Sequence, residues 1–264
     1  MMMYDHSSKA GNKGDVWKHF ALATVVDRLP SSDTFRYVDT HCGAPQHELR
    51  AGGEWEDGVG KVLDGWAALR RHGYIEVALR WVEGGLYPSS WRFAVECAAS
   101  RFGRMEVHLS DTVRTVAARY KDLTALGLPG NVSVDFHAGD GFARLESMGE
   151  VDLVLVDPSF SPDPDADWSR LQSACGLLKA RGTRFLAWYP IFSNIEPANL
   201  VAATGCSASE VVWAPTVPGL NQGMAGCGIL ASRDCGDMLA ACVAQLESLA
   251  SCLGGKFRRW AQGL

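Results

Sequence analysis

The clearest hydrophobic pattern in the chain is the run from Val151 to Val156, which stops at Asp157 and Pro158. Five of its six residues are Val or Leu, as is typical of a parallel strand covered on both faces. Ligands of open α/β sheets bind beyond the carboxyl ends of the strands. We therefore predict that Asp157 and Phe160 project into a binding crevice rather than into the core.

Short apolar strands alternate with helical periodicity over most of the chain. A first helix is predicted from Asp15, its N-cap, to Leu29. The last two strands follow each other through a loop, which predicts an antiparallel hairpin at one edge of the sheet. The pattern predicts an α/β fold with a seven-stranded, mostly parallel sheet and an antiparallel last strand. The seven strands are predicted near residues 36–40, 105–111, 131–142, 151–156, 184–190, 208–215 and 225–232.

Residues 51–86 interrupt this alternation. Their paired glycines are followed by helical periodicity, which predicts a helical insertion between the first and second strands. With 264 residues, of which 47% are hydrophobic, the chain suits one domain spanning 1–264. Residues 1–14 form a Gly/Ser/Asn-rich arm with basic side chains, which we interpret as functional rather than structural.

Composition narrows the classes of partner and compartment. The formal net charge of −5 argues against a surface coated with phosphate-binding side chains, so a nucleic-acid partner would need a local basic patch. We expect a cytoplasmic protein without a membrane partner, because there is no apolar run of about 18 residues and no secretory signal pattern. The eight cysteines lack CxxC or Cys/His spacing, so we predict reduced thiols and no metal.

The residues after the buried strand suit recognition of a flat base with an exocyclic amine. The Asp157 carboxylate and the Pro158 carbonyl can accept the two amine hydrogens, which localises the nitrogen lone pair and makes it nucleophilic. Phe160 would stack on the ring, and one stacked base contributes roughly 1–3 kcal/mol. The alternative is a proline turn with a capping aspartate.

Four predicted strands end in an acid: Asp39, Asp111, Asp140 and Asp157. In a doubly wound sheet these ends share one rim, where Asp111 is placed to hold ribose hydroxyls and the turn at Asp140 and Gly141 can reach the adenine edge of a cofactor. The turn after the first strand, residues 41–45, also suggests the start of a helix with free N–H groups. Each acid could instead be a helix cap.

Seven segments of the chain carry a resemblance to a known family: HSSKAGNKGDVWKH (6–19), YVDTHCGA (37–44), YPSSW (87–91), DGF (140–142), DPSF (157–160), WYP (188–190) and GMAGCG (223–228). In this order they resemble the RlmJ-type bacterial 23S rRNA adenine-N6 methyltransferases. The resemblance implies one Rossmann-like class I methyltransferase domain with a helical insertion, S-adenosylmethionine as methyl donor, and a mobile arm at residues 1–14 over the site. It also implies 23S ribosomal RNA as partner, and we expect a monomer.

The resemblance also assigns roles to individual residues. Asp157 with Pro158 and Phe160 would form the catalytic group, and Tyr4 and Lys18 would contact RNA, Lys18 through a phosphate. The cofactor contacts implied are His19, His41, Ser90, Asp111, Asp140, Gly141 and Asp157.

This chain departs from the family pattern at the catalytic group, where Ser159 and Phe160 replace proline and tyrosine, and at Asp111, where the family has glutamate. Phe160 keeps an aromatic face, but Ser159 loosens the turn. Two alternatives therefore stay open. One is a methyltransferase for an amine on a small molecule or peptide, and the other is a non-catalytic RNA-binding relative.

Overall fold

A computed structural model describes residues 9–65, 69, 71–161, 163–192, 198–213 and 224–260, without the side chains of 198–200. The helices are α1 Lys13–Val26, α2 Val59–Asp64, α3 Gly73–Glu83, α4 Ser90–Ala98, α5 Arg114–Arg119, α6 Gly141–Ser147, α7 Pro164–Ala180, α8 Ala198–Thr204, α9 Arg233–Ala240 and α10 Val243–Cys252. The strands are β1 Thr34–Asp39, β2 Gln46–Glu48, β3 Leu86–Pro88, β4 Arg104–Asp111, β5 Val132–Ala138, β6 Leu153–Val156, β7 Phe185–Phe192, β8 Ser207–Val212, β9 Met224–Ala231 and β10 Lys256–Trp260. Among the described residues, no helix combines the length and the hydrophobicity that a membrane span requires.

The main sheet has the order β10-β8-β9-β7-β6-β1-β4-β5. Pairing is parallel from β5 to β7, and β9 lies antiparallel between β7 and β8. The strand order reverses at β1, as in doubly wound folds that bind ligands at this switch point. The predicted α/β fold with a mostly parallel, Rossmann-like sheet is confirmed.

The predicted strand count and edge are wrong in detail, because the described part of the sheet has eight strands. The additional strand, β10, pairs antiparallel with β8, so the β8–β9 hairpin lies inside the sheet and not at its edge. The sequence of β10, KFRRW, has no apolar run because an edge strand buries one face only. Phe257 lies on that face, and the centroid of its ring is 6.1 Å from the centroid of the Trp17 ring.

Helix α1 is buried along its length, from Gly14 to Val26, and packs against α3, α4 and β9. Its N-cap is Asn12, whose side chain accepts from the Asp15 N–H, so the prediction of Asp15 as the cap is wrong. The polar residues Asp15, Lys18 and His19 are therefore inside the protein, where they need partners.

Residues 51–86 contain a 3-10 turn at Glu54–Glu56 and the helices α2 and α3. The turn after β1 leads into strand β2 and not into the expected helix. Strand β2 pairs with β3, so the insertion leaves and rejoins the fold through one two-stranded ribbon. Helix α4 then begins at Ser90 and crosses to β4. The division of the chain as one domain with an arm and an insertion stays a prediction.

Candidate active site

Asp157 lies directly beyond the carboxyl end of β6, at the centre of the main sheet. One of its oxygens, Oδ2, accepts a hydrogen bond from Lys18 Nζ at 2.6 Å, and 14% of its side chain is exposed. Asp157 and Lys18 are far apart in the chain, and helix α1 brings them together across the face of the sheet. The acid is therefore at the predicted rim, and it is paired with a cation from the amino-terminal motif.

Lys18 is buried between two carboxylates. Its Nζ atom donates to Asp15 Oδ1 at 3.0 Å as well as to Asp157. Burial alone would lower the pKa of the Lys18 ammonium, but the charges of Asp15 and Asp157 and their hydrogen bonds raise it well above its usual value. A lysine held in this way is not available to an RNA phosphate, so the expected phosphate contact is not what the structure shows.

Asp39 at the end of β1 is a buried carboxylate that sequence reasoning noted as a strand-end acid and did not assign. It accepts from Ser90 Oγ at 2.6 Å, from the His41 N–H at 3.2 Å and from Tyr37 Oη at 3.2 Å. Ser90, expected to contact a cofactor, is itself buried and bonded to Asp39. Ser90, at the start of α4, therefore holds the Asp39 carboxylate below the turn that follows β1.

Desolvation raises the pKa of the Asp39 carboxyl to about 6, and the nearby charge of Asp157 adds to the rise. Between these two pKa values the folded state thus binds a proton that the unfolded state, in which the carboxyl has its ordinary pKa of 3.8, has released. The free energy of unfolding of the wild type should fall by about 1–3 kcal/mol from this residue as the pH rises from 4 to 7.

This pH dependence can be measured by urea denaturation of the wild type and of Asp39→Asn across that range. The asparagine variant cannot ionise, so the decrease in its unfolding free energy from pH 4 to pH 7 should be smaller than that of the wild type by about 1–3 kcal/mol. Parallel curves for the two proteins would show that Asp39 does not titrate in this window.

The turn after β1 is joined to the end of β4 by Asp111. Its Oδ2 accepts from the Gly43 N–H at 3.1 Å and its Oδ1 from the Val113 N–H at 2.8 Å. Gly43 has φ of +61°, which favours glycine. Partial burial raises the pKa of Asp111. The structure places Asp111 at the rim, as expected for a ribose ligand, and shows that it also holds the turn.

Asp140 caps helix α6 through the Phe142 and Ala143 N–H groups and forms an ion pair with Arg170. Partial burial alone would raise its pKa, but the hydrogen bond and charge of Arg170 lower it. A Cβ at Gly141 would lie 1.9 Å from the Thr40 carbonyl oxygen. The close approach that Gly141 permits is therefore to the end of β1, where the expectation was an approach to a cofactor.

His41 and Phe142 meet edge to face, with ring centroids 4.9 Å apart. Burial lowers the pKa of His41, which keeps its imidazole neutral near pH 7. The Arg170 guanidinium lies 4.4 Å from the centroid of the Phe142 ring. Phe142 and Arg170 also line a groove of about 440 Å³ between α6 and α7. The first turn and the Asp140 turn therefore form one continuous rim.

The prediction that Phe160 projects into the crevice is wrong for this structure. Its ring is 5% exposed and packs on Trp168 at 4.7 Å and on Trp188 at 6.0 Å. Its φ of 52° turns the ring inward, and Asp167 of α7 accepts from its backbone N–H. Burial of a large aromatic surface offsets the cost of this backbone conformation. Pro158 is also buried, and Ser159 is exposed.

Trp188 is an aromatic residue beside the site that sequence reasoning quoted without giving it a role. Val156 pairs with Ala187, so Asp157 and Trp188 come next on neighbouring strands. Trp188 is partly buried, and its Cζ2 lies 3.4 Å from the position of a Cβ on Gly14. The pairing of β6 with β7 is what places Trp188 beside Asp157. The sequence alone does not show which strands are neighbours, so this position could not be predicted from it.

Two further predicted contacts are on the arm and in α1. His19 is buried, hydrogen-bonds through Nδ1 to Tyr87 Oη at 3.0 Å and stacks on the same ring. A cofactor contact of His19 therefore stays a prediction. Tyr4 lies outside the described residues.

All eight cysteines are free thiols, and within the described ranges no cluster of three or more His, Cys, Asp or Glu side chains could hold a metal ion.

Comparison with known proteins supports the predicted resemblance. The chain is 27% identical to the ribosomal RNA large subunit methyltransferase J of Escherichia coli K12 over an alignment of 209 residues, with 72% of this chain and 71% of the relative covered. It is 27% identical over 208 residues to the protein of the same name from Haemophilus influenzae, with the same coverage. No family model matches the chain.

A solved structure, protein LPL1258 from Legionella pneumophila, is similar over 96% of this chain and 98% of its own, with a TM-score of 0.78 and 19% identity. This similarity supports the fold over nearly the whole chain. The resemblance to RlmJ-type proteins predicted from the sequence motifs is confirmed by the two sequence relatives.

Proposed function

We propose that this chain, which is similar to RlmJ-type enzymes, is an S-adenosylmethionine-dependent methyltransferase of large-subunit ribosomal RNA, and that its target is the N6 amine of an adenosine in 23S rRNA. The observation that carries the proposal is the position of Asp157, at the carboxyl end of the central strand β6 and next to the rim formed by the β1 and Asp140 turns. The names of the two sequence relatives support the ribosomal RNA substrate.

The rim fits this cofactor in shape and charge. Gly43 gives the turn after β1 its positive φ, Gly141 lets the Asp140 turn approach the Thr40 carbonyl, and the carboxylates of Asp111 and Asp140 stand at neighbouring strand ends. An acidic rim suits a cofactor that has two ribose hydroxyls and a positively charged sulfonium. Asp111 would hold the ribose, and His41 and Phe142 would border the adenine. The bound cofactor supplies an activated methyl group.

The protein's own contribution is to polarise and position the amine. The Asp157 carboxylate and the Pro158 carbonyl would accept its hydrogens and return the lone pair to nitrogen. A carboxylate offers about four acceptor positions, so a bond to Lys18 is compatible with a second bond to the amine. Alignment and polarisation of this kind are sufficient when the donor is already activated. The target base would have to leave its stack to enter the site.

A ribosomal substrate implies a cytoplasmic location, and a local patch of basic residues would contact the RNA because the net charge is −5. The monomeric state stays a prediction.

A second candidate function is methylation of an amine on a small molecule or peptide. The buried ring of Phe160 favours it, because the structure offers less stacking surface for an RNA base than the sequence predicts. Trp188, which is partly exposed beside Asp157, is the aromatic residue that an RNA base would contact instead.

Transfer of a labelled methyl group distinguishes the two candidates. Purified protein and S-adenosylmethionine are incubated with 23S rRNA from a strain that lacks the modification, and in parallel with a metabolite and peptide extract. We expect label in the RNA, recovered as N6-methyladenosine after digestion. Label in the extract alone would contradict the RNA proposal and support the second candidate, and cofactor binding without transfer would indicate a non-catalytic relative.

A further inference from the structure

The amino-terminal segment that enters α1 is held by the helical insertion. The Val59 N–H donates to the Gly11 carbonyl at 2.9 Å, and Asn12 Nδ2 donates to Glu54 Oε2 at 3.1 Å. Lys13 forms an ion pair with Asp57 at 3.3 Å. We call residues 11–13 the arm junction.

The two segments are in close backbone contact as well. A Cβ at Gly58 would lie 2.1 Å from the Gly11 carbonyl oxygen, and Gly11 itself has φ of +76°. Both positions therefore suit glycine, and the insertion fixes the path by which the arm enters the helix.

Asp15 connects the arm junction to the catalytic group. Its Oδ2 accepts from the Gly11 N–H at 3.0 Å, and its Oδ1 accepts from Lys18 Nζ at 3.0 Å. The same Nζ donates to Asp157 Oδ2. Asp15 is 5% exposed and Lys18 is 7% exposed, so these charged hydrogen bonds form away from water, where they are strong and directional.

We propose that Asp15 is a positioning residue for the reaction, which sets how strongly Lys18 binds Asp157 and which is itself fixed by the arm junction and the insertion. Lys18 is shared between two carboxylates. When Asp15 is ionised and correctly placed, it shares the Lys18 ammonium, so Asp157 keeps more of its negative charge for the substrate amine. Without that charge Lys18 donates to Asp157 alone, and Asp157 becomes a weaker acceptor for the amine.

The inference rests on the proposed methyl transfer and is tested by a double-mutant cycle of Asp15→Asn and Lys18→Met. Asp15→Asn should lower kcat tenfold or more, with the KM for RNA and the Kd for cofactor within about threefold. In the Lys18→Met background the same change should alter kcat by less than twofold. Asp27→Asn, at the other end of α1, is the matched control and should leave kcat unchanged.

Equal losses from Asp15→Asn in both backgrounds would overturn the inference, as would a rise in KM with kcat intact. A wild-type protein inactive on every RNA would instead contradict the proposed function. For that case urea denaturation gives a readout without turnover. Asp15→Asn should lower the free energy of unfolding less in the Lys18→Met background than in the wild type, and equal losses would also overturn the inference.

The contribution of the insertion is tested separately by Glu54→Ala. Glu54 is exposed, so this variant should fold even if Asp15→Asn does not. Loss of its bond to Asn12 loosens the arm junction, and we expect kcat to fall about two- to fivefold in the wild-type background but not in Lys18→Met. A kcat equal to that of the wild type would show that the insertion does not act through the junction.

Discussion

Replacing Asp157 with alanine is expected to abolish methyl transfer, with kcat at least a thousandfold lower, while cofactor affinity stays within a few fold. Asp157 is the carboxylate proposed to polarise the amine and accepts from Lys18, whereas the turns proposed to hold the cofactor are organised by Asp111 and Asp140. Losing an interaction needed in the transition state lowers kcat without weakening ground-state binding of the cofactor. The measurement is single-turnover transfer to 23S rRNA, with cofactor affinity determined by calorimetry.

Asp165→Ala is the control for this variant, because it removes an exposed carboxylate from the first turn of α7. We expect it to retain wild-type turnover. An Asp157→Ala protein that transfers methyl groups at the wild-type rate would remove Asp157 from the mechanism.

Replacing Gly141 with alanine is expected to destabilise the protein by about 2–4 kcal/mol. The added Cβ would lie 1.9 Å from the Thr40 carbonyl oxygen and 2.6 Å from its carbonyl carbon. These are backbone atoms at the end of β1 and cannot rotate away as a flexible side chain does. The Asp140 turn must therefore move away from the turn that follows β1. Both the free energy of unfolding and the cofactor affinity should fall.

Gly176→Ala is the matched substitution for the measurement of stability. Gly176 is exposed within α7, and a Cβ there meets no atom within 4 Å. It should stabilise the protein by roughly 0.5–1 kcal/mol, because glycine in a helix interior costs more conformational entropy than alanine. Equal unfolding free energies for the two variants in urea would contradict the packing described at Gly141.

The fold was largely predictable because most strands carry their own signal. The uninterrupted run at β6 and the alternation of strands and helices determine a doubly wound sheet. Strand β10 was missed because its pairing with β8 depends on tertiary contacts of Phe257, and a sequence of three basic residues in five does not suggest a strand. The helix expected after β1 was replaced by β2, whose partner β3 is about 40 residues away.

The acids of the candidate site could be predicted because the end of a strand places them at the rim independently of the surrounding side chains. The environment of Lys18 could not be predicted. A lysine and a histidine near the start of a helix are usually solvated, and nothing local shows that α1 is covered on all sides. The orientation of Phe160 was also not predictable, because it depends on a positive φ and on two tryptophans from α7 and β7.

The central claim is that Asp157 activates an adenine amine of ribosomal RNA. It is tested most directly by mass mapping of N6-methyladenosine in 23S rRNA from cells that lack this protein, complemented with the wild type or with Asp157→Ala. The claim predicts one adenosine that is methylated with the wild type and unmethylated with the empty vector or the variant. An identical methylation map in all three strains would contradict it.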